Sequence, residues 1–304
     1  MLRSFFIALS KNRIVRNWAE KSRAGQRVAS RFVAGFTVDE AVAACQRVNA
    51  EGMAVSLDSL GESVAVEAEA RAAADIYHRL LDAIAERKLN ANVSLKLTQM
   101  GMDIRPQLAE EIVEEIVSHA SRTGLFVRID MEGSEYTEAT LAMTERLFAR
   151  FPKSVGTVLQ AYLYRTEADT ERLLRQAIHI RLCKGAYKEA ATVAFPAKKD
   201  VDANYVKLMK RMATSGVFCG VATHDEAIVE EMLRFVAEHR IAKNAFEFQM
   251  LYGIRRDLQR RLVREGFGVR VYIPFGTAWY PYFVRRLAER PANVIFLAKN
   301  FFKK

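Results

Sequence analysis

From about residue 53 onward the chain repeats one unit, a short apolar run of strand length followed by an amphipathic stretch of helix length. MAVSLD precedes 63–89, NVSLKLTQ precedes 105–123, GLFVRIDME precedes 136–151 and GTVLQAYL precedes 167–178. HIRLCKG, FCGVATHD, AFEFQML and VRVYIPFG then lead into 201–214, 225–240, 254–265 and 280–299. Strands separated by helices pair in parallel, because each helical crossover returns the chain to the edge it left. Eight units without a long linker or a break in composition point to one (β/α)8 barrel over residues 53–304, with residues 1–52 forming a helical segment packed on it. A doubly wound open sheet is the alternative, and no strand here runs into a G-x-G-x-x-G or P-loop turn that would favour it.

Side chains alternate across a strand, and several of these runs keep one parity apolar and the other polar. Val93, Leu95 and Leu97 oppose Ser94, Lys96 and Thr98; Val127, Ile129 and Met131 oppose Arg128, Asp130 and Glu132. Phe246, Phe248 and Met250 oppose Glu247 and Gln249, and Val271 and Ile273 oppose Arg270 and Tyr272. The outer face of a barrel strand packs on helices and has to be apolar, so the polar parity is the one that points inward. The charged residues are expected toward the C-terminal ends of their strands, where barrel enzymes place their chemistry. Buried there, they need to be paired with one another, as Lys96 with Asp130, or with a bound polar ligand.

The 304 residues are half apolar and carry a formal charge of +10, which suits an acidic partner such as nucleic acid, an anionic membrane or a negative cofactor. The basic residues are scattered through helices with no aromatic-interleaved block, which argues against nucleic acid. Cys45, Cys183 and Cys219 are far apart and form no C-x-x-C pair, a pattern of reduced thiols in a cytoplasmic protein. No H-E-x-x-H pair joins the histidines and no G-x-S-x-G elbow occurs, so a metal site and a nucleophilic triad are not expected. The opening MLRSFFIALSKNRIVRNW reads as a basic amphipathic helix, its apolar run far below the roughly 18 residues of a membrane span.

YPYFVRRLAER, residues 280–290, sets Tyr282, Arg285, Arg286 and Glu289 at i, i+3, i+4 and i+7, so the stripe that normally faces a core is polar. A solvated face with ion pairs accounts for it, and so does one wall of a site for an anion. A Schiff-base lyase using Lys96 or Lys184 and a non-catalytic basic binding protein also remain open.

SLKLTQ, RIDMEG, VLQAYLYR, IRLCKGAYKE, VATHD, FEFQMLYG, VYIPFG and YFVRRLAERPAN occur in that order between residues 94 and 293, and the ordered set resembles the proline dehydrogenase family. The resemblance is to the monofunctional bacterial type, and it implies a barrel that holds FAD at the C-terminal strand ends. It implies oxidation of L-proline to Δ1-pyrroline-5-carboxylate by hydride transfer to flavin N5, with a membrane quinone as electron acceptor. By the same resemblance Gln160, Arg181, Lys184, Gly185, Ala186, Thr223, His224 and Glu247 line the flavin, with Glu289 on the cofactor side and placed to restrain an arginine. Lys96, Arg285 and Arg286 would bind the carboxylate of proline, Tyr187, Leu251, Tyr272 and Tyr282 would surround its ring, and Asp130 matches an active-site aspartate. Glu62 would pair with Arg286 to close the site. The enzyme so implied is cytoplasmic, with peripheral contact at the inner face of the cell membrane, and binds neither metal nor nucleic acid.

Overall fold

The computed structural model describes residues 30–61, 63–280, 282 and 284. Helix α1 (Val38–Ala50) leads into β1 (Ala54–Ser59), α2 (Glu67–Glu86), β2 (Ala91–Leu95), α3 (Pro106–Arg122) and β3 (Val127–Ile129). A 3-10 turn, Ser134–Tyr136, opens α4 (Thr137–Arg150), and β4 (Val155–Gln160), α5 (Thr166–Leu174), β5 (Ile180–Cys183) and α6 (Lys198–Ala213) follow. The remainder is β6 (Cys219–Ala222), α7 (Glu226–Glu238), β7 (Phe246–Leu251), α8 (Arg256–Arg264) and β8 (Gly268–Phe275). The eight strands close in sequence order, β8 pairing in parallel with β1. The expected fold class, a (β/α)8 barrel, is the one observed.

The helices form where the sequence gives a continuous apolar stripe. In α2 the buried residues are Ala70, Ala73, Ala74, Tyr77, Leu80, Leu81 and Ile84, a run of three- and four-residue steps. Helix α1 opens on a reciprocal capping box: Thr37 Oγ1 accepts from Glu40 N at 3.2 Å, and Glu40 Oε2 accepts from Thr37 N at 3.1 Å. The outward parity of every strand joins these stripes in one continuous core, with Val55, Leu57, Val93, Leu95, Phe248 and Ile273 fully buried.

Helix α1 lies against β8, β1 and α2, the place on the barrel wall that a helix after the eighth strand would take. The described residues beyond β8 go elsewhere. Trp279, Tyr280, Tyr282 and Val284 pack with Phe32 and Val33, and Leu60 and Ile254, which follow β1 and β7, complete the cluster. Those neighbours place it at the C-terminal end of the barrel. Backbone bonds from Ala34 N to Pro274 O and from Gly276 N to Gly35 O, each 2.9 Å, hold the entering segment beside the end of β8.

Candidate active site

Large polar side chains fill the barrel because two strands give up side chains to make room. A Cβ at Gly156 would come within 2.9 Å of Arg128 Nη1, and one at Gly220 would strike the Gln249 carboxamide. In the space left, Arg181 reaches across from β5. Its Nη1 donates to Asp130 Oδ1 at 2.8 Å and to Ser94 Oγ at 3.2 Å, its Nη2 donates to Ser56 Oγ at 3.1 Å, and its Nε donates to Gln249 Oε1. The guanidinium also lies over the Tyr272 ring, 5.2 Å from its centroid.

Asp130 is the hub on the acceptor side. Besides Arg181 it accepts from Ser94 Oγ at 3.0 Å and from Tyr272 Oη at 2.7 Å, and Lys96 Nζ lies 3.8 Å from Oδ2. A carboxylate so occupied orients its donors. Burial, with Asp130 and Asp58 adding to it, holds the Tyr272 hydroxyl far above its ordinary range, so it stays a neutral donor.

The sequence reading paired Lys96 with Asp130, and the structure gives it a closer partner. Lys96 Nζ donates to both oxygens of Asp58, at 3.0 and 3.1 Å. Asp58 is the last inward-parity residue of β1, two residues after Ser56, so the alternation rule that selected Lys96 would have selected it too. Burial pulls Lys96 down, but the carboxylates of Asp58 and then Asp130 more than reverse that, and the amine stays a cation.

Above this network a cavity of about 460 Å³ opens at the C-terminal ends of the strands, within the roughly 300–1,000 Å³ usual for ligand pockets. Lys96, Asp130, Arg181 and Tyr272 reach it from β2, β3, β5 and β8 and the turns that follow them. Gln160 and Leu251 close β4 and β7, and Thr223 and His224 follow β6. Lys184, Gly185 and Ala186 form the turn after β5, where Gly185 has φ +111° and any Cβ would run into the Tyr162 ring. Val158, Cys183, Ala222 and Met250 supply apolar wall. Burial pushes the Cys183 thiol up to about 12, which leaves it a neutral, inert contact.

At the rim Lys184 Nζ donates to Asp202 Oδ1 at 2.5 Å and Asp225 Oδ2 at 2.9 Å, and Lys198 shares both carboxylates. His224 Nε2 accepts the Leu251 backbone N–H at 2.9 Å, so the proton of the neutral ring sits on Nδ1.

Three expected site residues are not in the cavity wall. Glu247 lies near the start of β7, opposite Gly220 and Gly268, at the N-terminal end of the barrel. It accepts from Arg270 Nε at 2.6 Å and from Gln249 Nε2 at 2.7 Å, and it lines a separate hollow with Phe218 and Lys243. Its inward parity is right and its height is wrong for a ligand at the mouth. Arg128 and Arg270 share that lower position: Arg128 Nη1 donates to the carbonyls of Thr157 and His179, and Arg270 Nη1 to that of Val55. The charged parity therefore fills both ends of the barrel, not the C-terminal end alone. Tyr187 is 39% exposed on the loop after β5, and Tyr282 is buried in the cluster with Trp279. Glu62, Arg285, Arg286 and Glu289 lie outside the described residues.

A closed (β/α)8 barrel with a charge-balanced cluster under a cavity at its C-terminal mouth is the build of a barrel enzyme that takes a small polar ligand. A family profile described as proline dehydrogenase matches residues 41–299. The chain is 44% identical over 304 residues to "Proline dehydrogenase 1" of Bacillus subtilis subsp. natto, covering 100% of both chains. It is 42% identical over 281 residues to "Proline dehydrogenase" of Deinococcus radiodurans, covering 91% of this chain and 90% of that one. Among solved structures, proline utilization A from Bdellovibrio bacteriovorus inactivated by N-propargylglycine superposes with a TM-score of 0.82 at 25% identity. That match covers 92% of this chain and 34% of the longer one. The chain belongs to the proline dehydrogenase family, and it is an oxidoreductase acting at the first step of proline catabolism.

Proposed function

We propose that the chain oxidises L-proline to Δ1-pyrroline-5-carboxylate with FAD held in the mouth cavity and a membrane quinone as final acceptor. The observation that carries this reading is the convergence on one cavity of two residue sets: Gln160, Lys184, Thr223 and His224 for the flavin, and Lys96, Leu251 and Tyr272 for the substrate. The wall residues fit the cofactor. Val158, Ala222 and Met250 suit the faces of a flat ring system, Gly185 and Ala186 leave room at its edge, and the Lys184 and Lys198 ammoniums suit a diphosphate. When bound, FAD supplies the hydride acceptor at N5.

The protein's own contribution is orientation and charge. Lys96 holds the substrate carboxylate, and Leu251 and Tyr272 flank the apolar ring, with Tyr187 and Tyr282 added as further ring contacts. Arg285 and Arg286 complete the carboxylate clamp, Glu62 closes it on Arg286, and Glu289, on the cofactor side, restrains one of these arginines or a nearby lysine. Asp130, accepting from Arg181, Tyr272 and Ser94, fixes the cations and the tyrosine. Arg181 holds Asp130 and would line the flavin. The catalytic unit spans 53–304, with 1–52 packed on it as a helical segment. The chain works in the cytoplasm at the inner face of the cell membrane, in peripheral contact; no described helix is long and apolar enough to cross a bilayer.

Purified protein should show a flavin spectrum that L-proline bleaches without oxygen. A colourless protein trapped on a keto substrate by borohydride would replace this reading with a Schiff-base lyase. Arg285→Met or Arg286→Met should raise KM for proline while flavin content holds; normal KM values in both would remove the clamp.

A further inference from the structure

Lys96 enters the cavity wall from the end of β2, and its side chain is 14% exposed. Asp58 is 1% exposed and forms no part of that wall, so it meets the ammonium from behind. A lysine head on a four-carbon stem has no preferred direction of its own; its acceptors aim it. Here Asp58 receives Nζ through both oxygens, at 3.0 and 3.1 Å, while Asp130 stands at 3.8 Å with its oxygens already taken by Arg181, Ser94 and Tyr272. An ammonium has three N–H groups, so at least one remains for the cavity.

Among the described residues, the charged and titratable groups facing Lys96 are Asp58 from β1, Asp130 from β3 and Tyr187 from the loop after β5. Arg181 and Tyr272 stand behind Asp130, and Tyr77 of α2 stands behind Asp58. Without Asp58 the burial of Lys96 persists, and among the described residues the carboxylate left to offset it is Asp130, which is already shared.

Resting on the function proposed above, we propose that Asp58 is the positioning residue of the substrate site: it aims the Lys96 ammonium into the cavity and keeps it charged, so that a cation meets the carboxylate of proline. It acts through Lys96 and does not touch the substrate.

The test uses the flavin-loaded enzyme and cyclopentanecarboxylate, a ring carboxylate with no amine to titrate or oxidise, its binding followed through the flavin absorbance. Asp58→Asn should weaken this ligand roughly tenfold or more and raise KM for proline in parallel, with kcat within about threefold. The high-pH limit of ligand binding should move toward neutrality in that variant, because Lys96 then gives up its proton sooner. In a Lys96→Met background the further change Asp58→Asn should alter the dissociation constant by less than about twofold. Unchanged or tighter binding in Asp58→Asn, an unmoved pH limit, or a full tenfold effect that survives in Lys96→Met would each overturn the proposal. Should Asp58→Asn fail to fold, Asp58→Glu keeps the charge and displaces it by one methylene, and it should lose affinity with the pH limit in place; full affinity there would show that position is irrelevant. A wild-type protein without flavin, or one whose flavin ignores L-proline, would instead sink the function on which the proposal rests.

Discussion

Replacing Arg181 with methionine keeps the stem that fills the barrel and removes the guanidinium that joins four strands. The lost donors are those to Asp130, Ser94, Ser56 and Gln249. Both members of the ion pair are nearly buried, with side chains 8% and 11% exposed, and removing one partner of such a pair costs about 3–5 kcal/mol. Asp130 keeps Tyr272 and Ser94, and Lys96 stands near, which places the carboxylate's share at the lower end. Ser56 and Gln249 each lose a buried partner, for roughly another 1 kcal/mol apiece, so the whole is about 5 kcal/mol. At roughly 2–4 °C per kcal/mol for chains of comparable size, Tm should fall by about 10–20 °C. Guanidinium and thermal unfolding followed by circular dichroism measure it, with Arg181→Lys as a control: one ammonium cannot serve four acceptors, so most of the loss should persist. The double variant Arg181→Met/Asp130→Leu should cost less than the sum of its parts, because no charge is left stranded. A loss below about 1 kcal/mol for Arg181→Met, or strict additivity in the double variant, would refute the view that this pair is held by mutual need.

Two further outcomes follow from the same geometry. Gly220→Val sets a side chain against the Gln249 carboxamide, and overpacking of this kind costs about 1–3 kcal/mol; because Gln249 also holds Arg181, the spectrum of the flavin proposed for the cavity should shift as well. The rim titrates in the acid range. Lys184 holds the Asp225 carboxyl below its ordinary 3.8, and at Asp202 burial works upward while Lys184 and Lys198 bring the carboxyl below that value. A depressed carboxylate contributes stability above its unfolded value and loses it as pH falls through the folded one. The difference in unfolding free energy between wild type and Lys184→Met should therefore be constant above about pH 5 and shrink below about pH 4. The aspartate side chains are 27% and 30% exposed, so screening keeps the effect on the order of 1 kcal/mol. A difference that is flat to pH 2, measured by urea unfolding, would show that these carboxylates are not paired in solution.

Much of the barrel is legible in the sequence because its two governing periods are local. The stripe that makes α2 a surface helix and the alternation that turns Lys96, Asp130 and Tyr272 inward are set by neighbours a few residues apart. The ordered motifs likewise selected wall residues such as Gln160, His224 and Leu251 that no single run would identify. Asp58 was within reach of the same alternation rule, in MAVSLD, and was missed because a carboxylate at the end of the first strand has no visible partner until the barrel closes.

Height within the barrel is what the sequence does not contain. Glu247 and Lys96 share the inward parity, yet one belongs to the bottom of the barrel and the other to its mouth. The difference lies in where each strand begins and how it is staggered against its neighbours, as Glu247 opposite Gly268 and Ser94 opposite Arg128 show. Closure also decides partners: β1 pairs with both β2 and β8, which brings Asp58 to Lys96 and Ser56 to Arg181 across 38 and 125 residues. The chain by itself determined that eight strands would turn a polar face inward, because side-chain direction is a property of the local backbone. Only the tertiary structure decided which charges meet and which of them face the cavity, because distance across a closed barrel depends on every strand in it.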